Sequence, residues 1–247
     1  MPNNHPLLLL QNAVKRREQA GSVFELSVPD FAVHPGEIVA VVGDSGCGKS
    51  TLLDMLALVM QPSSVERFVI QPDPAGGAVD VRVLWERGDE TRLAALRRAF
   101  LGYVLQTGGL LSFLTVRENV ALPLRIHGSG TGMERVVALA ERLGVVQCLD
   151  RYPDSLSIGQ RQRVAIIRAL AHNPALILAD EPTAAVDKPR ARLIMDELHA
   201  LARENRTAVI VVTHDTDLVA NVDGRFMFDV EQVSTNEIRS HCLEVAR

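Results

Sequence analysis

Nine residues, Gly43 to Thr51 (GDSGCGKST), constrain the fold of this chain more than any others. They follow Ile38–Val42, a short apolar run rich in β-branched residues that the punctuation Pro35-Gly36 precedes. They lead into LLDMLALVM, which suits a helix. Strand, glycine-rich loop and helix, in that order, is the context that a G-x-x-x-x-G-K-[ST] spacing requires. Gly43, Gly46 and Gly48 permit backbone conformations that turn successive N–H groups inward, with Asp44, Ser45 and Cys47 filling the loop between them. The helix start at Ser50 and Thr51 adds its partial positive charge. Such a loop cradles phosphates: Lys49 reaches the β- and γ-phosphates, and the Ser50 hydroxyl ligates Mg²⁺. A glycine-rich turn that merely precedes a lysine lacks these flanks.

Two further devices follow in a fixed order. Ser157-Ile158-Gly159-Gln160 opens a basic, apolar-striped helix, RQRVAIIRAL, with Ser157 fitting its N-cap and Gly159 able to let an anion approach the backbone. The apolar run Ala175 to Ala179 then ends in Asp180 and Glu181. Carboxylates at the C-terminal end of a parallel strand lie where open α/β sheets bind ligands. An acidic strand end is common by itself; Asp-Glu-Pro-Thr after four apolar residues, downstream of a phosphate loop, is not.

The stretch Leu156–Asp187 (LSIGQRQRVAIIRALAHNPALILADEPTAAVD), together with the loop, resembles the nucleotide-binding subunit of the ATP-binding cassette family, and the likeness runs over roughly residues 7–229. The resemblance implies ATP and Mg²⁺ as the bound species. It makes Glu181 the general base, and it has Asp180 hold Mg²⁺ through water. It has Ser157, Gly159 and Gln160 cap the γ-phosphate bound by a second copy, so that two cassettes sandwich two ATP molecules head to tail. Gln106 would sense Mg²⁺ and the attacking water, and would begin the segment facing an integral membrane permease. Asp187 would signal across the dimer, and His214, ending AVIVVTH, would contact the γ-phosphate. Ile158 stands where the family usually has glycine, and Val186 where it has leucine. The aromatic residue that usually stacks on adenine is missing: Arg17 aligns there, with Phe24 as a second candidate and a solvated Lys-Arg-Arg cluster as the plain alternative. A guanidinium plane can stack on a base. Cys47, inside the loop near a helix N-terminus, is expected to carry a lowered thiol pKa.

The fold expected is α/β: a phosphate-loop NTPase core with an antiparallel β lobe and a helical signature lobe, all in one domain over residues 1–247. Residues 7–42 read as strands of the base-binding lobe, and 65–93 as turn-rich and β-biased around PDPAGG, with Trp85 packing in a strand-like run. Residues 107–172 read as the helical lobe, broken at HGSGTG, and the parallel sheet resumes at Ala175. After Val230 only a short tail is expected. A net charge of −4 without a long basic run gives no nucleic-acid footprint. Three isolated cysteines suit a reducing cytosol. No apolar stretch reaches the length of a membrane helix, and LLLL near the N-terminus is too short for a signal-peptide core. The expectation is a cytoplasmic protein, peripheral on the inner face of a bacterial membrane.

The segment LRRAFLGYVLQTGGLLSFLTVRENVALPLRIHG looks most like the lipoprotein-releasing, macrolide-export and cell-division group, whose members drive transport or transmit force. The alternative is a soluble ATPase of the same family acting on DNA or ribosomes; a long coiled coil or a second cassette would mark it, and neither is read here.

Overall fold

A computed structural model describes residues 5–72, 77–128, 132–184 and 186–245. Its frame is one ten-stranded sheet. The strands are β1 (Leu8–Gln19), β2 (Ser22–Val33), β3 (Ile38–Val42), β4 (Arg67–Ile70), β5 (Val79–Asp80), β6 (Leu101–Val104), β7 (Leu176–Asp180), β8 (Ala208–Thr213), β9 (Gly224–Ser234) and β10 (Glu237–Glu244). Their spatial order is β5-β4-β1-β2-β10-β9-β3-β8-β7-β6. The β9-β3-β8-β7-β6 side is parallel throughout, whereas β5-β4-β1-β2 is antiparallel. The helices are α1 (Lys49–Leu56), α2 (Val81–Glu86), α3 (Glu90–Phe100), α4 (Val116–His127), α5 (Met133–Arg142), α6 (Ile158–Leu170) and α7 (Lys188–Asn205).

Strand β3 is buried on both faces, which explains its unbroken apolar sequence. Successive side chains alternate across the sheet, so one strand feeds two cores. Ile38, Ala40 and Val42 join Ile177, Ala179, Val209 and Val211 beneath α4, α5, α6 and α7. Val39 and Val41 join Leu178, Ile210 and Val212 on the face that α1 and the antiparallel strands cover. Leu52, Leu53, Met55 and Leu56 of α1 are all fully buried there. At about 1.5–3 kcal/mol for each large apolar side chain removed from water, this packing fixes the start of α1, and with it the loop before it.

Three expectations change. β3 belongs to the parallel core and not to the base-binding lobe, because its partners are β8 and β9. The region 65–93 is not a β-biased meander: after the short β4 and β5 it turns helical, and Asp80 and Asp89 cap α2 and α3. Trp85 therefore sits on a helix, although it does pack, 5.4 Å from Phe68 between ring centroids. Most of PDPAGG and the middle of HGSGTG lie outside the described residues. Residues 107–172 carry α4, α5 and α6.

The largest departure follows Val230. No loose tail is found there, because β9 and β10 form a hairpin and β10 pairs in parallel with β2 over Glu237–His241. This hairpin joins the two halves of the sheet. Much of it is exposed, with Phe226, Ser240 and Cys242 its buried residues.

Candidate functional site

A cleft of about 720 Å³ lies where the phosphate loop, the end of β7 and the two hairpins meet. Gly46, Gly48, Lys49, Ser50 and Thr51 line one end, with Ser45 beside them. Gly48 caps α1 with φ 111°, a backbone region that favours glycine. A Cβ there would also stand 2.9 Å from Cζ of Phe24. Gly43 is required by contact instead: its Cβ would meet the Cys47 sulfur at 2.7 Å and Phe228 at 3.0 Å. The Lys49 ammonium donates to the carbonyls of Gly43 and of Asp44, the latter at 2.7 Å, which holds the loop closed around its own lysine.

Asp180 and Glu181 form the opposite wall, with Gln106, just past the end of β6, beside them. Glu181 adopts φ 47°, uncommon for a residue with a side chain. Its N–H donates to the Val212 carbonyl at 2.8 Å, so the neighbouring strand imposes this conformation. The residue is 8% exposed, with Oε1 2.9 Å from Nδ1 of His214 and Oε2 without a partner among the described residues. His214 follows β8 and reaches the cleft through Glu181, its own side chain being 68% exposed. Burial pushes the Asp180 carboxyl above its ordinary pKa; Glu181 and Asp54 add to this, and Lys49 opposes it.

At the far end Arg17 and Phe24 face each other across β1 and β2, and both line the cleft. The Phe24 ring points toward Gly48, so it packs on the loop. Asp54 on α1 is raised by burial and lowered by Arg17, which places that guanidinium in electrostatic reach of α1. Cys47 corrects an expectation. It is 3% exposed beneath the loop, and desolvation raises its thiol pKa more than Lys49 lowers it. Its side chain does not line the cleft.

Ser157, Gly159, Gln160 and Asp187 lie outside this cleft. Ser157 and Gln160 make a reciprocal capping box, Ser157 N–H donating to Gln160 Oε1 at 2.9 Å and Gln160 N–H to Ser157 Oγ at 3.3 Å. Ile158, 57% exposed, projects from the same turn. Gly159 packs close to Val186: a Cβ on it would lie 3.2 Å from that side chain. Asp187 caps α7 and pairs with Arg190 at 2.9 Å.

Three supports escaped the sequence reading. The buried Ser240 hydroxyl on β10 donates to the Cys47 carbonyl at 2.6 Å, tying the C-terminal hairpin to the phosphate loop. Arg168, late in α6, donates to the carbonyls of Gly109 and Gly108 at 2.7 and 3.0 Å, just after Gln106. Fully buried Asn119 accepts from Leu111 N–H and donates to the carbonyls of Leu111, Leu114 and Thr115. No sequence signal marks Ser240. An arginine in an apolar-striped helix is the one trace of Arg168 in the sequence.

Known proteins fit this arrangement. A family model described as ABC transporter matches residues 26–184. The lipoprotein-releasing system ATP-binding protein LolD of Hydrogenovibrio crunogenus is 40% identical over 200 residues, 80% of this chain and 82% of that protein. The macrolide export ATP-binding/permease protein MacB of Rhodospirillum rubrum is 41% identical over 78% of this chain, which spans only 28% of that longer protein. Among solved structures, a dimer of the ATP-binding cassette MJ0796 bound to ADP and Pi, in a post-hydrolysis state, superposes with a TM-score of 0.78 at 30% identity. That match covers 97% of this chain and 100% of the other. A cleft built from loop, strand end and hairpins, matched across most of its length, leaves one placement: the chain belongs to the ABC transporter family, as an ATP-binding cassette.

Proposed function

We propose that this protein hydrolyses ATP as the motor subunit of an ABC transporter or force-transmitting membrane complex, working as a head-to-tail pair beneath a separate permease. The observation that carries the proposal is Glu181. A buried carboxylate is held by a strained backbone at the cleft wall, with one oxygen on His214 and the other free to accept a proton. General bases need that combination of position and availability. Lys49, Gly46 and Gly48 bind and orient the phosphates, and His214 fixes the Glu181 carboxylate. Arg17 covers the base.

The donor set suits Mg²⁺. Ser50, Gln106 and Asp180 offer hard oxygen ligands, as that ion prefers, and the Asp180 carboxyl, whose burial Lys49 offsets only in part, is the place where a cation relieves the burial cost. When bound, Mg²⁺ neutralises charge on the β- and γ-phosphates.

Ser157, Gly159, Gln160 and Asp187 sit on a surface that one copy leaves outside its own cleft. The pairing reading assigns that surface to the ATP of a second copy. Among the described residues no helix is long and apolar enough to cross a membrane; in the proposed complex a permease supplies the membrane part. The relatives named for lipoprotein release and macrolide export favour a membrane complex, at the inner face of a bacterial membrane. Between the phosphate loop and Ser157 the described helices are short, with no coiled coil of the kind a DNA-acting member carries.

The test is Glu181→Gln, which keeps shape and removes charge. ATP binding should persist while hydrolysis falls roughly 10²–10⁴-fold, and size exclusion with Mg-ATP should show the dimer accumulating. Hydrolysis at the wild-type rate would overturn the assignment.

A further inference from the structure

The base end of the cleft has a wall that the phosphate chemistry does not use. It is the β9–β10 turn, whose Thr235 and Asn236 line the cleft beside Gln19 and Ser22 of the β1–β2 turn. This wall is built into the fold. The Asn236 carbonyl accepts from Val23 N–H at 2.6 Å, and its N–H donates to Ser234 Oγ at 3.3 Å. Both backbone groups of Asn236 are thus engaged, whereas its side-chain amide has no protein partner among the described residues. Two steps along β10, Ile238 pairs with Phe24 and lines the same cleft. Ser240, which touches the phosphate loop, lies four residues from Asn236, about 13 Å along a strand. The turn and the phosphate loop line the same cleft, so the turn stands where the base of a nucleotide held by the loop arrives.

The chemistry at this position is selective. A carboxamide presents a donor and an acceptor together, and it pairs with the N6–H₂ donor and N7 acceptor of adenine. The corresponding edge of guanine carries two acceptors, O6 and N7, and suits a guanidinium instead. Arg17 is the guanidinium nearby, but it sits in electrostatic reach of Asp54 on α1.

We propose that Asn236 reads the edge of the nucleobase and gives the cleft a preference for adenine over guanine nucleotides, the C-terminal hairpin acting as the specificity wall. The proposal rests on the reading of the cleft as an ATP site and goes beyond it, since stacking and phosphate contacts alone do not distinguish purines.

The experiment is calorimetric titration of the full-length chain with ATP and with GTP, for wild type, Asn236→Ala, Asn236→Asp and Lys49→Ala. Wild type should bind ATP more tightly than GTP. Asn236→Ala should lower the ATP-to-GTP affinity ratio by about 5- to 150-fold, the worth of one bidentate base contact. Most of that change should fall on ATP. Asn236→Asp can only accept hydrogen bonds; it loses the donor to adenine N7 and faces only acceptors, O6 and N7, on guanine, so ATP should weaken and GTP should gain nothing. The added charge weakens both nucleotides alike and cancels in the ratio. An unchanged ratio in both Asn236 variants, or equal weakening of ATP and GTP, overturns the proposal while Lys49-dependent ATP binding leaves the ATP-site reading intact. A wild type that binds neither nucleotide defeats both.

Discussion

Ser240→Ala removes one hydroxyl from the strand that joins the two halves of the sheet. Its Oγ donates to the Cys47 carbonyl at 2.6 Å, in a place with no solvent access. The substitution deletes the donor and leaves the acceptor in place. Leaving a buried polar group unpaired costs about 1–3 kcal/mol, more than the net worth of a typical intramolecular hydrogen bond. Taking about 2 kcal/mol, a chain of this size should lose roughly 4–8 °C in melting temperature. The same contact orders the phosphate loop, so a second effect follows. If about half of the loss falls on loop order, ATP should bind roughly fivefold more weakly, since about 1.4 kcal/mol is tenfold. Scanning calorimetry without nucleotide reads the first effect, and ATP titration reads the second. A melting temperature shifted by less than about 1 °C, together with unchanged ATP affinity, would refute the claim that the hairpin anchors the loop. Lost stability with unchanged affinity would confine the contact to the sheet.

Two other outcomes follow from burial. Cys47, Cys148 and Cys242 are all buried, and desolvation raises Cys47 and pushes Cys242 up to about 12. A maleimide at neutral pH should therefore leave the native protein unlabelled with or without ATP, and should label all three thiols in denaturant; rapid native modification of Cys47 with loss of ATPase activity contradicts this. Asp54 is a carboxyl whose folded pKa lies above its unfolded value, so the folded state loses stability as pH rises from the ordinary carboxylate range through the raised value. Asp54→Asn should then melt higher than wild type at neutral pH in chelator, with the gap closing toward acid pH; equal melting temperatures at every pH would remove the burial argument.

The chemistry-bearing motifs were legible because each combines residue type with a period change. Ile38–Val42 followed by glycines and an apolar helix can hardly fold otherwise, and Ala175–Glu181 reads as a buried strand ending at a ligand site. Trp85 was misplaced because Val81–Glu86 is rich in residues that also suit strands, and only the Asp80 cap and packing on Phe68 decide for helix. The hairpin after Val230 escaped for a different reason. Its stability comes from pairing with β2, more than two hundred residues earlier, and local sequence carries no record of such a partner. Cys47 was misjudged because the helix N-terminus is visible in sequence, whereas the burial that outweighs it arises only in the folded chain.

The place of that hairpin also orders the folding of the chain in time. β10 lies fifth of ten strands across the sheet, yet it is synthesised after β1 to β9. While the chain emerges, β1, β2, β4 and β5 can pair among themselves, and β3, β8, β7 and β6 can do the same. No strand pairing joins the two sets until β9 and β10 arrive. Contacts of such long sequence separation form slowly, because loop closure precedes their reward. The nascent protein thus carries two facing open strand edges, on β2 and β3, of the kind that invites mispairing with another chain. Insertion of the hairpin covers both edges and brings the Ser240 hydroxyl onto the phosphate loop in a single event.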